Sequence, residues 1–138
     1  MTVQVFFIPT KIVETLWPVF APMVDKAAKK YAHQYDLDDV LRGLLEERSG
    51  LFGVFLDNKP IAAIIASPVA YPKRKNLLIE LVGGNDVDQW WSEAIHAITE
   101  QAKAAGYSSI EARARKGWAK MAEKCNFKQV AVAYELEL

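Results

Sequence analysis

The spacing of apolar residues changes along this chain, and each change marks an element. Val3–Ile8, apolar but for Gln4, reads as a strand and is closed by Pro9. From about Val13 to Tyr35 the spacing becomes three and four residues, which predicts a helical region. Its start should be uneven, because Pro18 and Pro22 each remove a backbone donor, and Met23–Tyr35 is the cleaner part. Asp36 is placed to cap a second helix whose stripe is Leu37, Val40, Leu41, Leu44 and Leu45, stopped by Ser49-Gly50. Leu51–Leu56 and Ile61–Val69, joined through Asp57-Asn58-Lys59-Pro60, read as antiparallel strands, with Pro68 suggesting a bulge or an edge.

The stretch Leu77–Gly106 organises the rest. Leu77-Leu78-Ile79 and Leu81-Val82 have the length and composition of a sheet-centre strand, which turns through Gly83-Gly84-Asn85-Asp86 into a long amphipathic helix. Trp91, Ala94, Ile95, Ile98, Ala102 and Ala105 form that helix's apolar stripe, Glu93, Glu100 and Lys103 face water, and Gly106 ends it. A strand breaking into a helix N-terminus is a phosphate-holding geometry, since unpaired N–H groups and the helix dipole converge there. Tyr107–Ala114 alternates again, Gly117-Trp118 leads into a short helix through Lys124, and Asn126 suits a left-handed exit. Phe127–Leu138 then predicts a last strand with Val130, Val132, Tyr134, Leu136 and Leu138 on one face. The order predicts an α+β fold: a central, mostly antiparallel mixed sheet of about six strands flanked by about four helices, in one domain over residues 1–138.

Composition narrows the function classes. With 51% hydrophobic residues the chain can bury a real core, and 17 cationic against 17 anionic residues leave no net charge to attract nucleic acid or a membrane surface. No apolar run reaches the roughly twenty residues that span a bilayer, and the start carries no basic leader, so a soluble cytoplasmic protein is expected. The single cysteine, Cys125, rules out an internal disulfide and suits a reducing compartment. His33 and His96 have no partners at ligand or triad spacing, so neither a metal site nor a hydrolytic triad is expected. The cations Lys73-Arg74-Lys75 read as a solvated turn, with an acidic partner or phosphate as the alternative. Helical geometry separates Trp90 from Trp91 by about 100°. The periodic stripe assigns Trp91 to the core, which leaves Trp90 as an exposed contact or an oligomer interface; Trp118 is separately expected in the core.

Several segments carry a resemblance. Ala104-Ala105-Gly106-Tyr107 and Met121-Ala122-Glu123-Lys124-Cys125-Asn126-Phe127-Lys128, with the element order, are similar to the GNAT acetyltransferase superfamily, whose short helix reads Leu-Tyr-Glu-Lys-x-Gly-Phe. Tyr71-Pro72-Lys73-Arg74-Lys75, Gly83-Gly84 before Trp90-Trp91, and Arg115-Lys116-Gly117-Trp118-Ala119 resemble GNAT-like proteins encoded by tailed bacteriophages, often among virion assembly genes. The superfamily resemblance implies an enzyme using acetyl-coenzyme A, its pyrophosphate on an Arg/Gln-x-x-Gly-x-Gly/Ala loop before the long helix. Counted back from Gly106, those positions are Asp86, Val87, Gln89 and Trp91, none of which matches.

Asp86 and Gln89 also read as a capping box that satisfies the helix start internally, and Asp88 adds a second negative charge. At ~4–5 Å and an effective dielectric of about 20, one carboxylate repels each phosphate charge by on the order of 3–4 kcal/mol. The proton-donating tyrosine that the resemblance implies on the short helix is Ala122 here. Glu80 is the one acid inside the central strand and the weak candidate base; otherwise it faces a polar surface or pairs with Arg113. Cys125 falls on a packing position of the motif.

Two readings follow. The first is a degenerate GNAT-fold domain with weak or no acetyl-CoA binding, acting as a phage-type accessory or virion-associated binding protein with an unidentified protein partner. The second is a divergent acetyl-CoA-dependent N-acetyltransferase of unknown amine substrate. In it Val82, Gly83, Gly84, Asn85, Asp86, Arg113, Arg115 and Lys116, or the Lys73–Lys75 loop, hold the cofactor. The apolar face of the last strand also admits a homodimer.

Overall fold

The computed structural model describes residues 2–114 and 116–138, without the side chain of Lys116. Strands β1 (Val3–Ile8), β2 (Gly50–Leu56), β3 (Lys59–Ala70), β4 (Lys75–Gly84) and β5 (Ser109–Ala112) form one sheet in sequence order. The first four are antiparallel neighbours, and β5 runs parallel to β4. The helices are α1 (Thr10–Ala28), α2 (Leu37–Leu45), α3 (Val87–Ala104) and α4 (Ala119–Lys124). This is the α+β fold expected, with five sheet strands rather than about six.

Strand alternation splits the core into two layers. Val54, Ile64, Leu77 and Ile79 face α3 with Trp91, Ile95 and Ile98. Leu51, Ile65 and Leu81 face α1 and α2 with Phe20, Val24 and Leu44. The turn between β2 and β3 places Asp57 and Asn58 at φ 48° and 67°, the left-handed pair that a tight hairpin needs. Asp36 caps α2 in a full capping box with Asp39, as its position suggests.

Four expectations are corrected. Helix α1 begins at Thr10 and passes through both prolines; Pro18 and Pro22 are exposed, so water can serve the carbonyls they leave without a donor. The β3–β4 bulge lies not at Pro68 but between Ile65 and Ala66, opposite Glu80. Trp90 is buried beside Trp91, because Trp90/Ala94 and Trp91/Ile95 together form a stripe wider than a single row. Residues 128–138 join no strand of the sheet, and Val130, Tyr134 and Leu136 are 88%, 92% and 85% exposed. Alternation identifies a segment competent to pair, but a ladder also needs the segment to run beside a sheet edge, and residues 128–138 lie along no strand of the sheet.

Candidate active site

The site forms where β4 and β5 part. Their parallel pairing runs from Asn76↔Ser109 to Ile79↔Ala112, and a long contact of 3.5 Å from the Arg113 N–H to the Ile79 carbonyl ends it. At that point β4 is bulged: Ile65 pairs with Leu81 and Ala66 with Ile79, so Glu80 is the extra residue. A bulge bends its strand and re-aims the side chain it carries. Beyond it β4 continues to Gly84 while β5 has already ended, which opens a cleft of about 70 Å³. Glu80 and Val82 line one wall and Arg113 and Ala114 the other, with Lys30, Tyr31, Trp91 and Ala122 also at its surface.

The start of β5 is fixed by polar contacts at the far end of β4. Glu111 accepts hydrogen bonds from the Tyr71 hydroxyl (2.7 Å) and the Asn76 amide (2.9 Å), which together hold its carboxyl below the usual range. Arg74 donates to the Ser109 hydroxyl at 3.1 Å, and Lys75 lies 4.3 Å from the Tyr107 ring centre. Two cations of the Lys73–Lys75 loop are therefore engaged at Tyr107 and Ser109, just before β5 and at its first residue. β4 begins at Lys75 and ends at Gly83-Gly84, so roughly 26 Å of strand lies between the loop and the glycines.

Glu80 is half-buried and accepts the Ser67 hydroxyl at 2.7 Å; that bond, not an ion pair with Arg113, is its contact. Anchoring through one oxygen leaves the rest of the carboxylate's acceptor capacity for water or an amine. Tyr35 lies near enough to feel its charge: burial, then Tyr31, then Glu80 push the Tyr35 phenol up to about 12. Tyr31 and Tyr35 stack with ring centres 5.9 Å apart. The indole N–H of Trp91 is buried at the cleft without a hydrogen-bond partner, and its ring meets Trp118 edge-on at 5.2 Å.

The turn after β4 differs from its sequence reading. Asp86 adopts the left-handed conformation (φ 53°, ψ 43°), and its side chain makes no cap. A side-chain N-cap needs an extended backbone at that residue, so the expected Asp86–Gln89 capping box is corrected. The Gln89 N–H goes instead to the Asp86 carbonyl at 2.9 Å. Trp90 donates to the Asn85 carbonyl at 2.9 Å, and Lys26 donates to the Asn85 side chain at 2.6 Å. The glycines serve packing: a Cβ at Gly83 would lie 2.0 Å from the Met23 carbonyl oxygen, and one at Gly84 2.7 Å from Ala62 Cβ.

The structure thus brings Glu80, Val82 and Arg113 into one cleft and places Gly83, Gly84, Asn85 and Asp86 just beyond it. Arg115 and the Lys116 side chain lie outside the described residues. Sequence reasoning missed Ser67, Tyr31, Lys26 and Lys30, which come from distant elements and carry no local motif. His33 and His96 are exposed, and no metal-holding cluster occurs among the described residues. No described helix is long and apolar enough to cross a membrane. A larger groove of about 710 Å³ lies toward Phe7, Phe52 and Tyr107, away from the strand parting and Glu80.

No protein-family model matches the sequence, and no curated protein matches as a relative. Solved structures do match in fold. A ribosomal-protein-alanine N-acetyltransferase from Brucella melitensis biovar Abortus 2308 is similar with a TM-score of 0.73, at 12% identity over 99% of both chains. An aminoglycoside acetyltransferase from an uncultured soil metagenomic sample, in complex with sisomicin, gives 0.69 at 10% identity over 99% of this chain and 96% of that one. A transcriptional regulator from Bacillus halodurans C-125 gives 0.68 at 12% identity over 99% of this chain and all of that one.

Proposed function

We propose that the chain is a divergent acetyl-CoA-dependent N-acetyltransferase. The observation that carries this reading is the parting of β4 and β5 at the Glu80 bulge, with an anchored carboxylate at the point where the strands separate. The structural neighbours named as acetyltransferases support it. Self-capping by Asp86, the main argument for a domain without coenzyme, does not occur in the fold.

The residues at the cleft fit a thioester donor in part. The β4 edge past Ile79 has no β5 partner, so its backbone groups can bond an amide-bearing chain, and the unpartnered Trp91 N–H offers a donor beside it. Lys26 supplies positive charge at Asn85, just before α3, and Lys30 at the cleft, while Asp86 and Asp88 oppose a diphosphate. When bound, acetyl-coenzyme A supplies an activated acetyl group as a thioester. Glu80 takes the proton of the acceptor amine, directly or through one water, while Ser67 keeps its carboxylate in place. Ala122 carries no proton donor, and Tyr31 is the phenol at the cleft among the described residues.

The test is thermal melting with acetyl-coenzyme A. At one hundred times its dissociation constant the ligand should add about 2.7 kcal/mol, which raises the Tm of a domain this size by roughly 10 °C. An unchanged melting temperature at millimolar coenzyme would overturn the reading and favour a binding module in which Asp86 and Asp88 exclude the diphosphate.

A further inference from the structure

We infer that the groove of about 710 Å³ on the α3 side of the sheet binds a small aromatic zwitterion of the amino-acid type, at a site separate from the Glu80 cleft. Its volume lies within the range that ligand pockets occupy. Phe52, Ala66, Leu77 and Ala102 belong to the core layer beneath α3 and form the floor. The end of α3 meets that floor with alanines, Ala102 and Ala105, and β3 meets it with Ala66, so no side chain fills the space. Phe7 and Tyr107 add aromatic walls. Phe7 is 50% exposed, yet its ring is held: it meets Phe52 edge-on with centres 5.5 Å apart and lies against Gly50, where an added Cβ would stand 2.8 Å from its Cε1. A half-exposed ring fixed beside an apolar floor is ready to stack on another ring.

Two charges on the lining select the ligand's polar end. Lys11 stands in the first turn of α1, which holds no acid, and Glu47 lies just past the end of α2. Neither makes an ion pair among the described residues. Beside Glu47, Glu46 and Arg48 engage each other at 2.9 Å and leave it without a cation. Glu47 also sits at φ 60°, the left-handed position after a helix that favours glycine, so the chain carries a strained carboxylate where the turn itself needs no side chain. The groove therefore offers an ammonium, a carboxylate and aromatic walls over an apolar floor. A ligand with a carboxylate, an ammonium and a ring answers all of them, whereas a simple anion or cation answers one charge and a neutral ring answers neither.

Titration of the isotope-labelled full chain with L-phenylalanine, followed by amide NMR shifts and without coenzyme, reads this site apart from the Glu80 cleft. The shifts should gather at Phe7, Phe52, Leu77 and Ala102 and saturate with a dissociation constant on the order of 1 mM, ordinary for a ligand of about twelve non-hydrogen atoms. Phenylpropionate, which lacks the ammonium, and phenethylamine, which lacks the carboxylate, should each bind roughly threefold more weakly or worse. Lys11→Ala is expected to weaken phenylalanine and phenylpropionate by a similar factor and leave phenethylamine unchanged. Glu47→Gly should weaken phenylalanine and phenethylamine and leave phenylpropionate unchanged, without lowering the Tm, because glycine relieves the left-handed strain. The absence of saturable shifts at the groove overturns the inference, as does phenylalanine binding that neither variant weakens. Equal binding of the three compounds also overturns it, because the groove would then read the ring alone.

Discussion

Glu80→Gln is expected to lower the rate of amine acetylation by roughly two to four decades, the usual contribution of a positioned general base. Glutamine keeps an oxygen that can accept the Ser67 hydroxyl, so the bulge and the side-chain position should survive. What it loses is the ability to take a proton. The KM for acetyl-coenzyme A should therefore change little while kcat falls, the pattern of an interaction made only in the transition state. Half-buried Glu80 has no ion pair with Arg113, so melting should shift by only a few degrees. Activity within about threefold of wild type would remove Glu80 from the mechanism.

The second large effect falls on stability. At Gly83 an added methyl would sit 2.0 Å from the Met23 carbonyl oxygen and 2.6 Å from its carbonyl carbon. Both are α1 backbone, which a side-chain rotation cannot move aside. Gly83→Ala must push α1 from the sheet where Val24 and Ala27 are buried, at an expected cost of about 3 kcal/mol, the upper end of ordinary overpacking. The Tm should fall by roughly 10 °C. Calorimetric unfolding checks this, and a shift under 3 °C, on the order of 1 kcal/mol, would show that α1 yields easily at that point. The experiment also separates two meanings of the glycine pair. A phosphate cradle predicts lost coenzyme affinity with intact stability, whereas close α1–β4 packing predicts the reverse.

The sheet and helices were legible because their signals are local. The change from a near-continuous apolar run to three- and four-residue spacing at Gly83–Asp86 marks the strand–helix junction, and Gly106 and Asn126 are left-handed where the helices end. The site was less legible because it is set by register. Glu80 stood out as the lone acid in an apolar run, but nothing near it announces that β4 bulges there. That depends on how ten residues of β4 match twelve of β3. Ser67, Lys26 and Tyr31 reach the site through folding alone. Asp86 shows the opposite failure: residue type and spacing suit a capping box, yet the left-handed backbone removes it. Trp90 is similar, since its indole N–H finds the Asn85 carbonyl and lets a large ring be buried without an orphaned donor. The last strand has a clear pattern and no partner in its own chain, which is why pattern alone overstated the sheet.

The central claim is that the cleft between β4 and β5 transfers an acetyl group to an amine. The most direct measurement is the release of free thiol from acetyl-coenzyme A, followed continuously with a thiol reagent, across a panel holding a polyamine, an aminoglycoside and an alanine-terminated peptide. The account expects amine-dependent release by the wild-type chain with at least one member, reduced at least tenfold by Glu80→Gln. Release at the uncatalysed rate with every amine, from a chain that is folded and saturated with coenzyme, would contradict it.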